Sequence, residues 1–139
     1  MRVILDTNVV ISGVFFTGAP YHILKAWRDG TVHVVVSPEI LGEYQRVGGV
    51  LAKQFPGVDL APILNLFAAE AEFTIAPPLS EPVCVDPDDD KFLACALASK
   101  TKIIISGDKQ LLRVSGYRGI EVIRPRTFVD EYLSKRRGA

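Results

Sequence analysis

Four acids in this chain stand where carboxylates can act together: Asp6, Glu43, Asp89 and Asp108. Asp6 directly follows the apolar run Val3-Ile4-Leu5, and Asp108 follows Ile103-Ile104-Ile105 by a Ser-Gly step. Both runs read as buried strands. Their acids therefore fall just past carboxyl ends of strands, where open α/β sheets gather their ligand sites. Glu43 lies about one and a half turns into the helix that leaves the β-branched run Val32–Val36. Asp89 belongs to the acidic run Asp86-Pro87-Asp88-Asp89-Asp90, at the start of a helix leading into the Ile103 strand. Carboxylates converging without His or Cys describe a hard oxygen site, suited to Mg²⁺ or Mn²⁺. Held together without a cation they repel, and some take up protons. The chemistry such a site supports is in-line attack of water on a phosphodiester, assisted by one metal or by two about 3.5–4 Å apart.

Each acid also has a plainer reading. Asp6 in Asp6-Thr7-Asn8 suits a turn, Asp108 suits the cap of a short helix, and Glu43 suits a solvated helix face. Acids in a first helical turn are favoured by the helix dipole whatever the protein does. Asp86, Asp88 and Asp90 also carry the spacing of a calcium loop, but Lys91 and Leu97 stand where that loop needs Gly and Glu. Helical geometry chooses within the run. At about 100° per residue, Phe92, Leu93, Ala96 and Leu97 mark the buried face and Asp89 projects near its middle, with Asp88 and Asp90 to either side. An acid aimed at the protein body needs a partner, so Asp89 is the candidate ligand and Asp88 and Asp90 read as solvent-facing. By the same reckoning Glu43 sits at the edge of the stripe formed by Ile40, Leu41, Tyr44 and Val47.

The elements that must position these acids alternate between strand-like and helix-like patterns, the signature of a parallel sheet covered by helices. After Asp6 the residues Gly13, Phe15, Phe16 and Gly18 predict a loop, and Pro20 starts a helix that Gly30 ends near Asp29. Ser37-Pro38 starts the helix of Glu43, with Gly48-Gly49 a point of interruption. Leu60, Ile63, Leu64, Phe67 and Ala71 recur at helical spacing. A short strand at Phe73–Ile75, a proline-rich loop from Ala76 to Pro82, and a helix from Asp88 to Lys100 come next. A short helix from Lys109 to about Arg113, a strand at Glu121–Ile123 and a helix near Thr127–Ser134 close the chain.

At 139 residues there is room for one domain, residues 1–139, with one core. No apolar run reaches the roughly 18–20 residues that span a bilayer, and Asp6 interrupts the apolar start too soon for a signal peptide. A cytoplasmic protein, with no membrane association, is expected. Cys84 and Cys95 have neither metal-ligand spacing nor the number for a disulfide framework, and read as buried free thiols. Sixteen acids balance sixteen bases, so there is no overall basic field for non-specific nucleic-acid binding; a bound metal would neutralise a scissile phosphate instead. Lys135-Arg136-Arg137 reads as a solvated end or a phosphate contact.

The sequence closely resembles the PIN-domain family, particularly the PIN proteins described as toxin components of toxin–antitoxin systems. Val3-Ile4-Leu5-Asp6-Thr7-Asn8-Val9-Val10-Ile11-Ser12 is similar to that family's opening motif, and Pro38-Glu39-Ile40-Leu41 through Glu43-Tyr44 to its second. Asp86 to Leu93 with Ala96-Leu97 is similar to its third, Ile105-Ser106-Gly107-Asp108-Lys109-Gln110-Leu111-Leu112 to its fourth, and Pro125 with Phe128 to its closing segment. The resemblance implies a three-layer α/β/α sandwich with a central parallel sheet of Rossmann-like topology. It implies a metal-dependent ribonuclease, with Asp6, Glu43, Asp89 and Asp108 as metal-site acids and Asn8 and Ser106 as polar supports. Asp90 stands where members often have Asn, leaving Asp90 an alternative to Asp89, and Ala94 where they often carry an acid. It further implies an RNA substrate, an antitoxin partner and a homodimer. The alternatives are an RNA-processing nuclease that is not a toxin, and a catalytically silent PIN fold that only binds RNA or protein.

An aspartyl-phosphate mechanism fits less well: Asp6-Thr7-Asn8 lacks the second Asp of a D-x-D arrangement, and a response-regulator receiver, which would need a Lys after its last long strand, does not match as well either. Of the remaining residues, His33 reads as structural, while His22 falls just after the first loop and within reach of the cleft. Phe15 and Phe16 suit either stacking on RNA bases or packing, and Trp27 and Tyr44 read as core or interface.

Overall fold

The computed structural model describes residues 1–133. Five parallel strands form one sheet: β1 (Arg2–Leu5), β2 (His33–Val36), β3 (Glu72–Phe73), β4 (Ile103–Ile105) and β5 (Glu121–Ile123), in the order β3-β2-β1-β4-β5. Register runs Val3 to Val34, Leu5 to Ile105 and Ile104 to Val122. The central strands are apolar on both sides because helices cover both sheet faces, and Ile4, Leu5, Ile104 and Ile105 are fully buried.

The helices are α1 (Thr7–Phe15), α2 (Ala19–Arg28), α3 (Pro38–Gln54), α4 (Ala61–Glu70), α5 (Asp90–Ser99), α6 (Lys109–Leu112) and α7 (Pro125–Phe128). A 3₁₀ turn, Pro87–Asp89, precedes α5, and a turn of π-helix, Val129–Leu133, comes after α7. Right-handed crossovers put the helices of the β1–β2 and β2–β3 connections on one face and α5 on the other, giving a three-layer α/β/α sandwich. The expected closing helix thus divides into α7 and a π turn; Ser134 and Lys135-Arg136-Arg137 lie outside the described residues. No single helix among the described residues is long and apolar enough to cross a membrane.

Two glycine-based expectations are corrected. The segment after Asp6 is the helix α1 and not a loop. Gly13 is buried in it, where a Cβ would meet Leu24 Cδ1 at 2.5 Å and the Pro20 carbonyl oxygen at 2.9 Å. Gly13 therefore serves the close approach of α1 and α2. Similarly, α3 runs unbroken through Gly48-Gly49. A Cβ at Gly48 would stand 3.3 Å from Leu60 Cδ1 and 3.4 Å from Leu64 Cδ1, so the buried glycine seats Leu60 and α4 against α3. The predicted start of α3 is found, with Ser37 Oγ accepting from the Ile40 N–H at 3.3 Å.

Beside the sheet, Trp27 and Phe67 stack with ring centroids 4.2 Å apart, and Tyr44 packs on Phe67 at 5.3 Å. Both Trp27 and Tyr44 are core residues. Tyr44 is fully buried and its hydroxyl donates to the Leu5 carbonyl at 2.5 Å, tying α3 to the end of β1. Cys84 and Cys95 are buried free thiols, as expected.

Candidate active site

The chain steps from β1 outward through β2 and β3, then crosses back to add β4 and β5 on the other side. The change of direction lies between β1 and β4, and in such sheets the crevice past the carboxyl ends at that point is the place that holds ligands. Asp6 and the segment Ser106–Asp108 flank it. The Asp6 N–H donates to the Ile105 carbonyl at 2.9 Å, continuing the strand pairing to the crevice edge. Although Asp6 precedes α1, its side chain makes no capping bond there. It accepts instead from Ser106 Oγ at 2.6 Å, and Ser106 accepts from the Asp108 N–H at 3.0 Å. Ser106 is fully buried and Asp6 is 7% exposed. Asp108 does cap: its Oδ1 accepts from the Gln110 N–H at 2.9 Å.

Asp89 arrives from across the sheet. Helix α5 precedes β4 and runs against the strands, so its first turn lies at their carboxyl edge. Asp89 is half-buried, and among the described residues its carboxylate has no hydrogen-bond partner. Burial first, then the charges of Asp108, Asp6, Asp86 and Glu43, push its carboxyl up to about 6. The Asp6 carboxyl is also raised: burial outweighs the lowering by Ser106 and the Thr7 N–H, and the charges of Asp108 and Glu43 add to it. Asp6 and Asp89 therefore feel the acids around them, as desolvated groups beside like charge must.

Glu43 is held differently. Thr7 Oγ1 donates to its Oε2, Lys91 Nζ donates to its Oε1 at 2.5 Å, and Arg46 stands 3.7 Å from Oε1. Lys91 also reaches Asp88 Oδ2 at 2.8 Å, which holds the exposed Asp88 carboxyl below its usual range. Sequence reasoning does not single out Thr7 or Lys91. The (i, i+3) spacing of Asp88 and Lys91 is a local signal, whereas the link from Lys91 to Glu43, 48 positions away, has none. Asn8, expected as a support, is exposed at the start of α1, and the contact with an acid falls to its neighbour Thr7.

The expectation that Asp90 faces solvent is corrected. Asp90 is half-buried, and its two oxygens accept from the Val83 N–H at 3.2 Å and the Cys84 N–H at 2.7 Å. Residues 87–89 form a 3₁₀ turn, so a continuous 100° step from Asp88 misplaces the next residues. Asp90 pins the preceding loop, while Asp89 keeps its oxygens for the crevice. His22 lies far from the crevice: with Met1 and His33 it lines a groove at the amino ends of β1 and β2. Phe15 packs edge-on against Phe55, ring centroids 5.4 Å apart, and Phe16 is 69% exposed.

The donor set fits a hard divalent cation in type. Asp6, Asp89 and Asp108 are partly desolvated carboxylates whose mutual repulsion a cation would relieve. Among the described residues no three such side chains are closed around one point at ligand distance.

A PIN domain profile matches residues 2–110. The uncharacterized protein MJ1680 of Methanocaldococcus jannaschii is 31% identical over 145 aligned residues, covering 95% of this chain and 92% of its own. A chain in the crystal structure of VapBC2 from Rickettsia felis, bound to a DNA fragment from their promoter, superposes with a TM-score of 0.60. That match covers 89% of this chain and 98% of the other at 13% identity, and shows a shared fold.

Proposed function

This chain belongs to the PIN-domain family, and from that premise we propose that it is a metal-dependent endoribonuclease, the toxin of a toxin–antitoxin pair. The observation that carries the nuclease reading is the crevice between β1 and β4. It draws Asp6, Asp89 and Asp108 together from three segments, partly buried and each with oxygen capacity to spare. A structural cluster of acids would be expected to pair them off, as Asp90 is paired.

Mg²⁺ or Mn²⁺ is the cofactor we assign, held by these aspartates with Glu43 beside them. Such an ion, when bound, polarises the phosphodiester and supplies an activated water. The protein's part is positioning. Ser106 fixes Asp6 Oδ2 and is itself fixed against the Asp108 backbone, so both carboxylates keep one orientation as charge changes. The Gln110 N–H holds Asp108 Oδ1, leaving Oδ2 for the crevice. Tyr44 anchors the α3 turn that carries Glu43 to the end of β1.

The toxin role, an antitoxin partner and a homodimer rest on the four-motif resemblance, and the fold shared with the VapBC2 chain supports the first two; a cytoplasmic setting is proposed on the apolar pattern of the chain alone. The test is cleavage of RNA by the purified chain with Mg²⁺ or Mn²⁺, with EDTA, and after Asp6→Asn. Cleavage lost under both chelation and substitution is expected. Cleavage surviving both overturns the metal mechanism, and a chain that never cuts RNA yet captures a protein or RNA is a silent binding module.

A further inference from the structure

The four acids are not equivalent in what they still have to offer. Asp6 has one oxygen on Ser106, Asp108 has one on the Gln110 N–H, and Asp89 has neither oxygen engaged among the described residues. Glu43 has both engaged: Oε2 by Thr7, and Oε1 by Lys91 with Arg46 on its flank. Lys91 is not a loose surface group. Its side chain is 13% exposed, as is that of Glu43, and it bridges Glu43 to the exposed Asp88. A half-buried ammonium persists only with partners, and removing one partner of such a pair leaves the other uncompensated. A divalent ion that recruited Glu43 directly would have to share its oxygens with the donors already on them, and would meet the Lys91 ammonium at close range.

We propose that Lys91 is a positioning residue that keeps Glu43 out of direct contact with the metal, so that three aspartates hold the ion and the Glu43–Lys91 pair stands beside it. This deepens the nuclease reading and rests on it. The arrangement suits Mg²⁺, which retains several waters and is held by few carboxylates when phosphate oxygens must also reach it. The ammonium cancels the fourth negative charge without using a coordination position. Asp88 acts through Lys91, holding the ammonium from the solvent side.

The experiment is calorimetric titration of Mn²⁺ into the full chain without RNA, for the unaltered protein and for Glu43→Gln, Lys91→Met, Lys91→Arg and the double Lys91→Met/Glu43→Gln. Circular dichroism melts establish that each is folded. Releasing Glu43 in Lys91→Met is expected to tighten Mn²⁺ binding about tenfold, the effect of one added carboxylate near the ion. The double variant is expected to lose that gain, and Lys91→Arg, which keeps the cation, to match the unaltered protein. Glu43→Gln alone leaves the Lys91 ammonium uncompensated beside the ion and is expected to weaken affinity by up to about tenfold, a loss that the double variant recovers. Weakening by about tenfold or more in the double variant, where both charges of the pair are removed together, makes Glu43 a direct ligand and overturns the proposal, even if Lys91→Met does not fold. Unchanged or weaker binding in folded Lys91→Met also overturns it. If the unaltered chain takes up no Mn²⁺ at all, the metal-dependent nuclease reading falls first and this inference with it.

Discussion

The two ends of the sheet hold comparable numbers of ionisable side chains and use them in opposite ways. At the amino end, His22, Lys25, Asp29, His33, Arg126 and Asp130 line a groove of about 710 Å³. They are of mixed sign and exposed; Arg126 and Asp130 pair at 3.5 Å with side chains 77% and 58% exposed. At the carboxyl end the crevice acids share one sign and lie partly under the surface, and burial with the neighbouring acids raises the carboxyls of Asp6 and Asp89. Water and opposite charges satisfy the first set where it stands. The second set is left in want of a cation. On the proposed nuclease reading, like charge held out of water is a better guide to the chemistry than concavity or a count of charged residues.

The sharpest way to break that contrast is by activity. Asp6→Asn, Asp89→Asn and Asp108→Asn are each expected to lower RNA cleavage at least about 100-fold, since each would remove a carboxylate from the proposed metal site. His22→Ala and Arg126→Ala at the other end are expected to stay within about twofold. Initial rates on a labelled RNA, at saturating Mn²⁺, measure both groups. An amino-end variant as damaged as Asp89→Asn would dissolve the distinction.

A second contrast lies within the acidic run itself. Asp90 accepts two N–H groups of the preceding loop, so Asp90→Ala leaves both donors unmet and is expected to cost about 2–3 kcal/mol of stability. Asp88→Ala removes only an exposed partner of Lys91 and is expected to cost under about 1 kcal/mol. Urea unfolding of the metal-free chain measures both; equal losses would mean that the Asp90 clamp on Val83 and Cys84 contributes little.

This run also shows how far the sequence is legible. The β1 and β4 strands and the placing of Asp6 and Asp108 come from unbroken apolar runs ending at acids. Helical reckoning turns Asp89 toward the protein body, and Phe92, Leu93 and Ala96 are buried as it requires, although burial extends round the helix to Ala94 and Cys95 and leaves Leu97 half-buried. The same reckoning misassigns Asp90, because the role of that residue is a backbone contact to residues 83 and 84, which periodicity does not encode. The glycines mislead for a related reason. Gly13 and Gly48 mark close packing against Leu24 and Leu60, which lie beyond any local window. The Glu43–Lys91 pair is long-range in the same way.

The proton equilibrium of Asp89 separates the ends again, with a smaller effect. Its carboxyl titrates at about 6 in the folded chain against 3.8 for an ordinary aspartate. The folded state thus holds the proton more tightly, so stability of the metal-free chain falls as pH rises through that window and levels off above it. Asp6 acts in the same direction. After discounting for partial exposure, the loss from Asp89 is of order ~1 kcal/mol. Differential scanning calorimetry in EDTA is expected to show a Tm that declines from about pH 4.5 to about pH 7. Asp89→Asn is expected to flatten the decline, and Mg²⁺ to raise Tm most at the higher pH. A Tm independent of pH would mean that Asp89 and Asp6 are neither desolvated nor crowded by like charge in solution.

The smallest expected effect falls at the amino end. Arg126 and Asp130 are four residues apart and bridge the end of α7 to the π turn, but both heads remain in water. Coulomb attraction there is screened, and ordering two long side chains opposes it. Arg126→Ala is therefore expected to change unfolding free energy by less than about 0.5 kcal/mol, and raising salt to change it even less. Under the same salt, Mn²⁺ affinity at the carboxyl end is expected to fall visibly, because a divalent ion meets several carboxylates of one sign. If Arg126→Ala cost several times more, the amino-end groove would be an organised site in its own right, and the two ends would differ in ligand and not in kind.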